Sequence, residues 1–113
     1  MSKPFEDMST LNRLVHEPAR LAILTALSAC RGCDFVYLQS LTALTKGNLS
    51  NHLQKLDEGG LVEIEKGFKG RVSQTTIRLT PKGRAAIDRH WRRLDELREA
   101  AKAWQAPRQP QEE

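Results

Sequence analysis

Nowhere in this 113-residue chain does an apolar run approach the roughly 18 residues that a membrane span requires. Its N-terminal MSKPFEDMS lacks the apolar segment that follows the basic start of a secretory signal. The expectation is a cytoplasmic protein with no membrane partner. Cysteine is scarce, with only Cys30 and Cys33. A structural zinc usually takes four protein ligands, and neither a second Cys pair nor a His cluster completes a set, so no metal site is expected. Cytosolic cysteines are normally kept reduced, which reads the pair as free, structurally incidental thiols, with a redox or metal switch as the alternative. Also missing are a phosphate-binding glycine loop, an H-E-x-x-H helix, and a Ser or Cys nucleophile with a base at recognisable spacing. No enzyme and no cofactor are expected.

What is present is an ordinary globular composition, 39% hydrophobic and 28% charged, enough for one domain with one modest core. The net charge of +4 is unevenly spread. Residues 1–45 balance; residues 46–93 carry eleven Lys and Arg against five Asp and Glu; residues 94–113 carry three against five. A basic segment of this kind favours an anionic partner.

Helical spacing of Met8, Leu11, Leu14 and Val15 predicts a short amphipathic helix over 8–15. Pro18 suits the first turn of a second helix, whose apolar body (Leu21, Ile23, Leu24, Leu27) runs to about Ala29. Cys30 to Cys33 reads as a turn, and Asp34 as the cap of a third helix that points Phe35, Leu38 and Leu41 inward. Thr45 caps a fourth helix over 45–58, in which Leu49, Leu53 and Leu56 share one face. Beyond Gly59 and Gly60 the pattern alternates through Val62 and Ile64, and again through Thr75, Ile77 and Leu79, the mark of a β-hairpin. Its tip, Lys66-Gly67-Phe68-Lys69-Gly70-Arg71, is basic. Thr80-Pro81 starts a last helix over 81–104, and residues 107–113 read as a flexible tail.

The fourth helix is poorly built for stability. Gly47, Asn48, Ser50 and Asn51 are weak helix formers, and with Gln54 and Lys55 they surround the side opposite Leu49. Their chemistry suits a duplex. Asn and Gln can bond adenine edges in pairs, Lys can reach guanine, and Ser is adaptable. Gly47 permits close approach, and the first-turn N–H groups, capped by Thr45, favour phosphate. The candidate DNA-binding set is Thr45, Lys46, Gly47, Asn48, Ser50, Asn51, Gln54 and Lys55, joined by Lys66, Lys69 and Arg71 for backbone or minor-groove contact. Lys82 and Arg84 are candidate backbone contacts, and Phe68 either stabilises the turn or rests against a sugar. His52, at the border of the leucine face, reads as a packing or hydrogen-bonded residue.

Two short helices joined by a tight turn, then a basic hairpin, give the element order of a winged helix-turn-helix. The segments LVHEPARLAILTALS, LTKGNLSNHLQKLDEGGLVEIEK and IRLTPKGRAAI resemble those of small winged-helix transcriptional regulators of the MarR/ArsR type, over roughly residues 10–95. The resemblance implies a homodimer whose fourth helix enters the major groove while the hairpin touches the neighbouring backbone or minor groove. It departs from the metal sensors among those regulators, because their third-helix Cys motif is replaced by Phe35-Val36-Tyr37-Leu38.

The last helix carries Ile87, His90, Leu94, Leu97, Ala101 and Trp104 at steps of 3, 4, 3, 4 and 3, with Trp91 beside them. This seam, with Leu11, Leu14 and Val15, is the candidate interface of a C2 homodimer, more economically buried against a second copy than within one chain. A dimer spaces two reading helices by about 34 Å, which requires a pseudo-palindromic operator. The fold expected is mainly α with a β-hairpin wing (α+β): one winged-helix domain over 1–106 with N- and C-terminal dimerisation helices. Two readings stand beside a sequence-specific DNA-binding regulator: a winged helix that docks another protein, and a regulator gated through Cys30 and Cys33.

Overall fold

The computed structural model describes residues 13–104, so Leu11 and most of the first predicted helix lie outside the described residues. The chain runs α1 (Arg13–His16), α2 (Pro18–Ser28), β1 (Cys33–Asp34), α3 (Phe35–Thr42), α4 (Lys46–Glu58), β2 (Val62–Lys69), β3 (Val72–Leu79) and α5 (Pro81–Ala103).

Helix starts follow the capping chemistry in the sequence. The carboxylates of Glu17 and Asp34 accept from Arg20 N and Tyr37 N, and the hydroxyls of Thr45 and Thr80 accept from Asn48 N and Gly83 N. The core gathers Val15, Ile23, Leu24, Leu27, Leu38, Leu49, Leu53, Leu56, Leu61, Val62, Ile77 and Ile87. Each fully buried leucine or isoleucine contributes about 1.5–3 kcal/mol of transfer free energy.

Leu41 departs from its expected place: it is 54% exposed. Helix α3 ends at Thr42, and Ala43 takes the left-handed conformation (φ 60°), so that Leu44, not Leu41, packs against the core. A second departure is a third strand. Cys33 and Asp34 pair antiparallel with Ile77 and Thr76, giving a sheet of order β1-β3-β2 in place of a bare hairpin.

The third correction concerns the cysteines, which form a disulfide instead of the free thiols expected. Pairing of Cys33 with Ile77 folds the chain back at Gly32, and the Cα atoms of Cys30 and Cys33 come within 6.6 Å, inside the usual range for a bridge.

The segment LTPKG closes the fold between wing and last helix. Thr80 Oγ1 donates to Gly60 O at 2.6 Å and accepts from Gly83 N at 2.9 Å, while Thr80 N donates to Leu61 O at 3.1 Å. A Cβ at Gly83 would collide with the Leu61 carbonyl, so this helical position admits no side chain.

Candidate nucleic-acid interface

Helix α4 is pinned by its leucine face, and everything opposite is open. Leu49, Leu53 and Leu56 are buried, whereas Lys46, Gly47, Asn48, Ser50, Asn51, Gln54 and Lys55 are all exposed. Thr45 is exposed too, but its hydroxyl oxygen is engaged as the cap, 3.1 Å from Asn48 N. A Cβ at Gly47 would meet nothing within 4 Å, so intrachain packing does not require glycine there. Of the amide side chains, Gln54 has a long bond to Glu58 Oε2 (3.4 Å).

The wing stands beside this face. Along β2 and β3 the register pairs Val62 with Leu79, Ile64 with Ile77, Lys66 with Thr75 and Phe68 with Ser73, so these residues share one face of the hairpin. Between that face and α4 lies a cleft of about 360 Å³, floored by Phe35, Leu53 and Ile64 and rimmed by Lys46, Ser50, Gln54, Asp57, Lys66 and Thr75. Two lysines, one from the helix and one from the wing, thus flank a single groove. Lys69 and Arg71 are exposed at the tip, where Gly70 (φ 66°) takes the left-handed conformation of the turn. Lys82 leans along Gly60, while Arg84 opens on a different groove with Arg31 and Cys30.

One cluster that sequence reasoning missed holds α4 in place. Arg20 Nε donates to Leu14 O at 2.7 Å, and its Nη1 lies 3.3 Å from His52 Nδ1 on α4. An accepting Nδ1 leaves the proton on Nε2, which faces Glu17 Oε2 at 3.9 Å. Burial raises the Glu17 pKa, but the N–H groups of Arg20 and Ala19, with the neighbouring His52 ring and the Arg20 guanidinium, outweigh it and hold the carboxyl below its ordinary value. Leu14 presses on Gly59 at the other end of α4, where a Cβ would strike its methyl. The α1–α2 junction therefore grips α4 near its middle and at its C-terminal end.

The seam on α5 is divided. Ile87, His90 and Leu97 are buried within one chain, as is Val15, which corrects the expectation that the stripe is covered mainly by a second copy. Helix α5 packs on α1 and α2, with Ile87 in the core and the His90 ring beside His16. Leu94, Ala101, Trp104 and Leu14 are half-buried, and Trp91 is 43% exposed. His90, 4% exposed, has no hydrogen-bond partner at either ring nitrogen and lies 5.4 Å from the His16 ring. Burial, with a smaller contribution from the His16 charge, lowers its pKa.

Among the described residues no group of three or more His, Cys, Asp or Glu gathers to hold a metal, and no helix is long and apolar enough to cross a membrane.

A three-helix body whose last core helix bears an open polar face, followed by a two-stranded basic wing, defines a winged helix-turn-helix. The family described as winged helix DNA-binding domain matches residues 19–98, and the chain belongs to that family. It is 43% identical over 76 residues to the uncharacterised protein MJ0432 of Methanocaldococcus jannaschii, covering 66% of this chain and 82% of that one. Its fold matches the transcriptional regulator homologue of Pyrococcus horikoshii OT3 with a TM-score of 0.78 at 27% identity, over 83% of this chain and 95% of the other. A MarR-family transcriptional regulator from Silicibacter pomeroyi matches with a TM-score of 0.62 at 28% identity, over 93% and 68%. The resemblance to MarR-type winged helix-turn-helix regulators holds.

Proposed function

We infer that the protein is a sequence-specific, double-stranded DNA-binding transcriptional regulator acting as a homodimer, with α4 in the major groove and the wing at residues 66–71 on the backbone or minor groove. The observation that carries this reading is Gly47: it sits in the first turn of α4 with open space around it, on a face of exposed Asn, Ser, Gln and Lys beside a lysine-flanked groove. No packing demand explains such a face, and close approach of a duplex does. Asn48, Asn51 and Gln54 are assigned to base edges, Lys46 and Ser50 to bases or phosphate, and Lys55, Lys66, Lys69 and Arg71 to phosphate. The membership of a DNA-binding domain family and the likeness to transcriptional regulators support this assignment.

For the dimer, the available apolar surface on α5 reduces, among the described residues, to Trp91, Leu94, Ala101 and Trp104. An α-helix of 23 residues is about 35 Å long, enough to carry this face beyond the core contacts at Ile87. Light scattering at micromolar concentration is expected to give a dimer; a monomer would remove the two-fold operator from the account.

The test of DNA reading is selection of bound fragments from genomic DNA, with titration at two salt concentrations. Selective binding with a steep salt slope supports it, and failure to protect any fragment favours a protein-docking winged helix. A gated reading has one observation in its favour: the Cys30–Cys33 bridge ties the end of α2 to β1, which pairs with wing strand β3. Equal operator affinity of the oxidised protein, the reduced protein and Cys30→Ser would exclude it.

A further inference from the structure

The wing tip carries apolar side chains where a purely electrostatic clamp needs none. Phe68 is 77% exposed and Val72 is 69% exposed, the two most open large hydrophobic side chains among the described residues. The expectation that Phe68 stabilises the turn therefore fails as an explanation for it: the residue opposite is Ser73, too small to cover a ring.

Its placement points outward to a partner. Phe68 follows Lys66 on the hairpin face that turns toward α4, where Ile64 is half-buried and Lys66 already lines the cleft. At about 3.3 Å per residue, Phe68 stands some 7 Å beyond Lys66 along the strand. Lys66, Lys69 and Arg71 surround the tip, and the nearest acid on β2, Glu65, lies on the opposite face beside Arg78 at 3.6 Å. An exposed ring inside a cationic collar fits a polyanion whose apolar surface is reached only after its charge is met. A duplex offers this arrangement, with base-step faces and sugar rings recessed behind two phosphate rails.

We propose that Phe68 is an apolar wedge that enters the minor groove beside the site read by α4, partly unstacking a base step there. The proposal rests on the DNA-binding reading above and goes further, because it adds a contact that works through duplex deformability as well as charge. Lys66, Lys69 and Arg71 then deliver the ring, and sequence preference extends to a flexible step outside the bases that α4 touches.

The test uses the full chain and an operator chosen by the fragment selection, with 2-aminopurine placed in turn at steps flanking each half-site. The wild-type protein is expected to raise fluorescence at one flanking step. Phe68→Ala is expected to abolish that rise and weaken binding about tenfold with an unchanged salt slope, whereas Phe68→Leu keeps most of both. Lys69→Ala should lower the salt slope by about one and leave the fluorescence rise in place. The exposure of Phe68 makes both replacements compatible with folding, checked by circular dichroism. Wild-type affinity and an unaltered rise in Phe68→Ala would overturn the wedge while leaving DNA binding intact. Failure of the wild-type protein to select any fragment would overturn both. Phe68-dependent sedimentation with phosphatidylserine vesicles, at unchanged operator affinity, would assign the tip to an anionic lipid surface and also overturn the wedge.

Discussion

Helices α4 and α5 are both amphipathic, yet they treat their outward faces in opposite ways. Along the C-terminal half of α5 charges are matched within the helix: Arg93 with Glu96 at 3.3 Å, Arg98 with Asp95 at 3.2 Å and Lys102 with Glu99 at 3.2 Å. Its outward positions are rich in Arg, Glu and Ala, all good helix formers. Helix α4 shows no such pairing at Lys46, Asn48, Ser50 or Asn51, and it accepts Gly, Asn and Ser where helix stability is lost. The surface over residues 93–102 is finished by the chain itself. The other is left with donors and acceptors directed outward, supported by three buried leucines and by the grip of Arg20, Glu17 and Leu14.

That contrast can be broken most severely from beneath. Leu53→Ala removes a buried side chain under the exposed face and is expected to cost about 2–5 kcal/mol in chemical denaturation, with loss of operator binding following from loss of the fold. A denaturation midpoint near wild type would show that α4 is not held by this packing.

Asn51→Ala acts only on the outer face. It is expected to leave the melting temperature nearly unchanged and to cost about 1–3 kcal/mol of discrimination at one base position. A uniform loss across all sequences would instead make Asn51 a positioning contact.

The inward face of α5 supplies a pH test. His90 is buried with a lowered pKa, so the folded chain binds its proton less readily than the unfolded chain, whose imidazole titrates near the ordinary 6.5. The His90 contribution to stability is complete above that value and declines as the pH falls through it toward the lower folded-state pKa. Glu17, with its lowered pKa, adds a second decline further into acid, through the carboxylate range. His90→Leu should flatten the first decline and raise stability by about 1 kcal/mol, since no partner satisfies the ring. Melting curves of both proteins across this range check it; identical slopes would contradict the assignment.

The smallest effect is expected from the finished surface. Glu99→Gln removes the partner of Lys102 on an exposed turn of α5 and should change stability by no more than about 0.5 kcal/mol, with operator affinity unaltered.

Much of this organisation was legible in the residues. Asp34, Thr45 and Thr80-Pro81 mark helix starts because capping is a local transaction, completed within three residues. The leucine face of α4 and the alternation through Val62 to Ile64 and Thr75 to Leu79 are likewise periodic signals. The remainder depends on partners distant in sequence. Strand β1 has two residues and exists only because Ile77 and Thr76 lie beside it. The Arg20–His52 contact spans 32 positions. Spacing alone could not divide the α5 stripe between the chain's own core and an outward face, because a 3–4 repeat looks the same against either partner. Leu41 stands at the margin of the helix face that buries Leu38, where spacing does not tell a covered position from an open one, and nothing in an alanine announces the left-handed turn at Ala43. The glycine in LTPKGR gained its reason only from the Leu61 carbonyl above it.

The central claim is that α4 gives up helix stability to serve a duplex, and Gly47→Ala tests it with two readings on one protein. Alanine meets nothing within 4 Å at that position, so denaturation should show a gain of about 0.5–1 kcal/mol while affinity for the selected operator falls. A variant that is stabilised and binds the operator as well as the wild type would contradict the account.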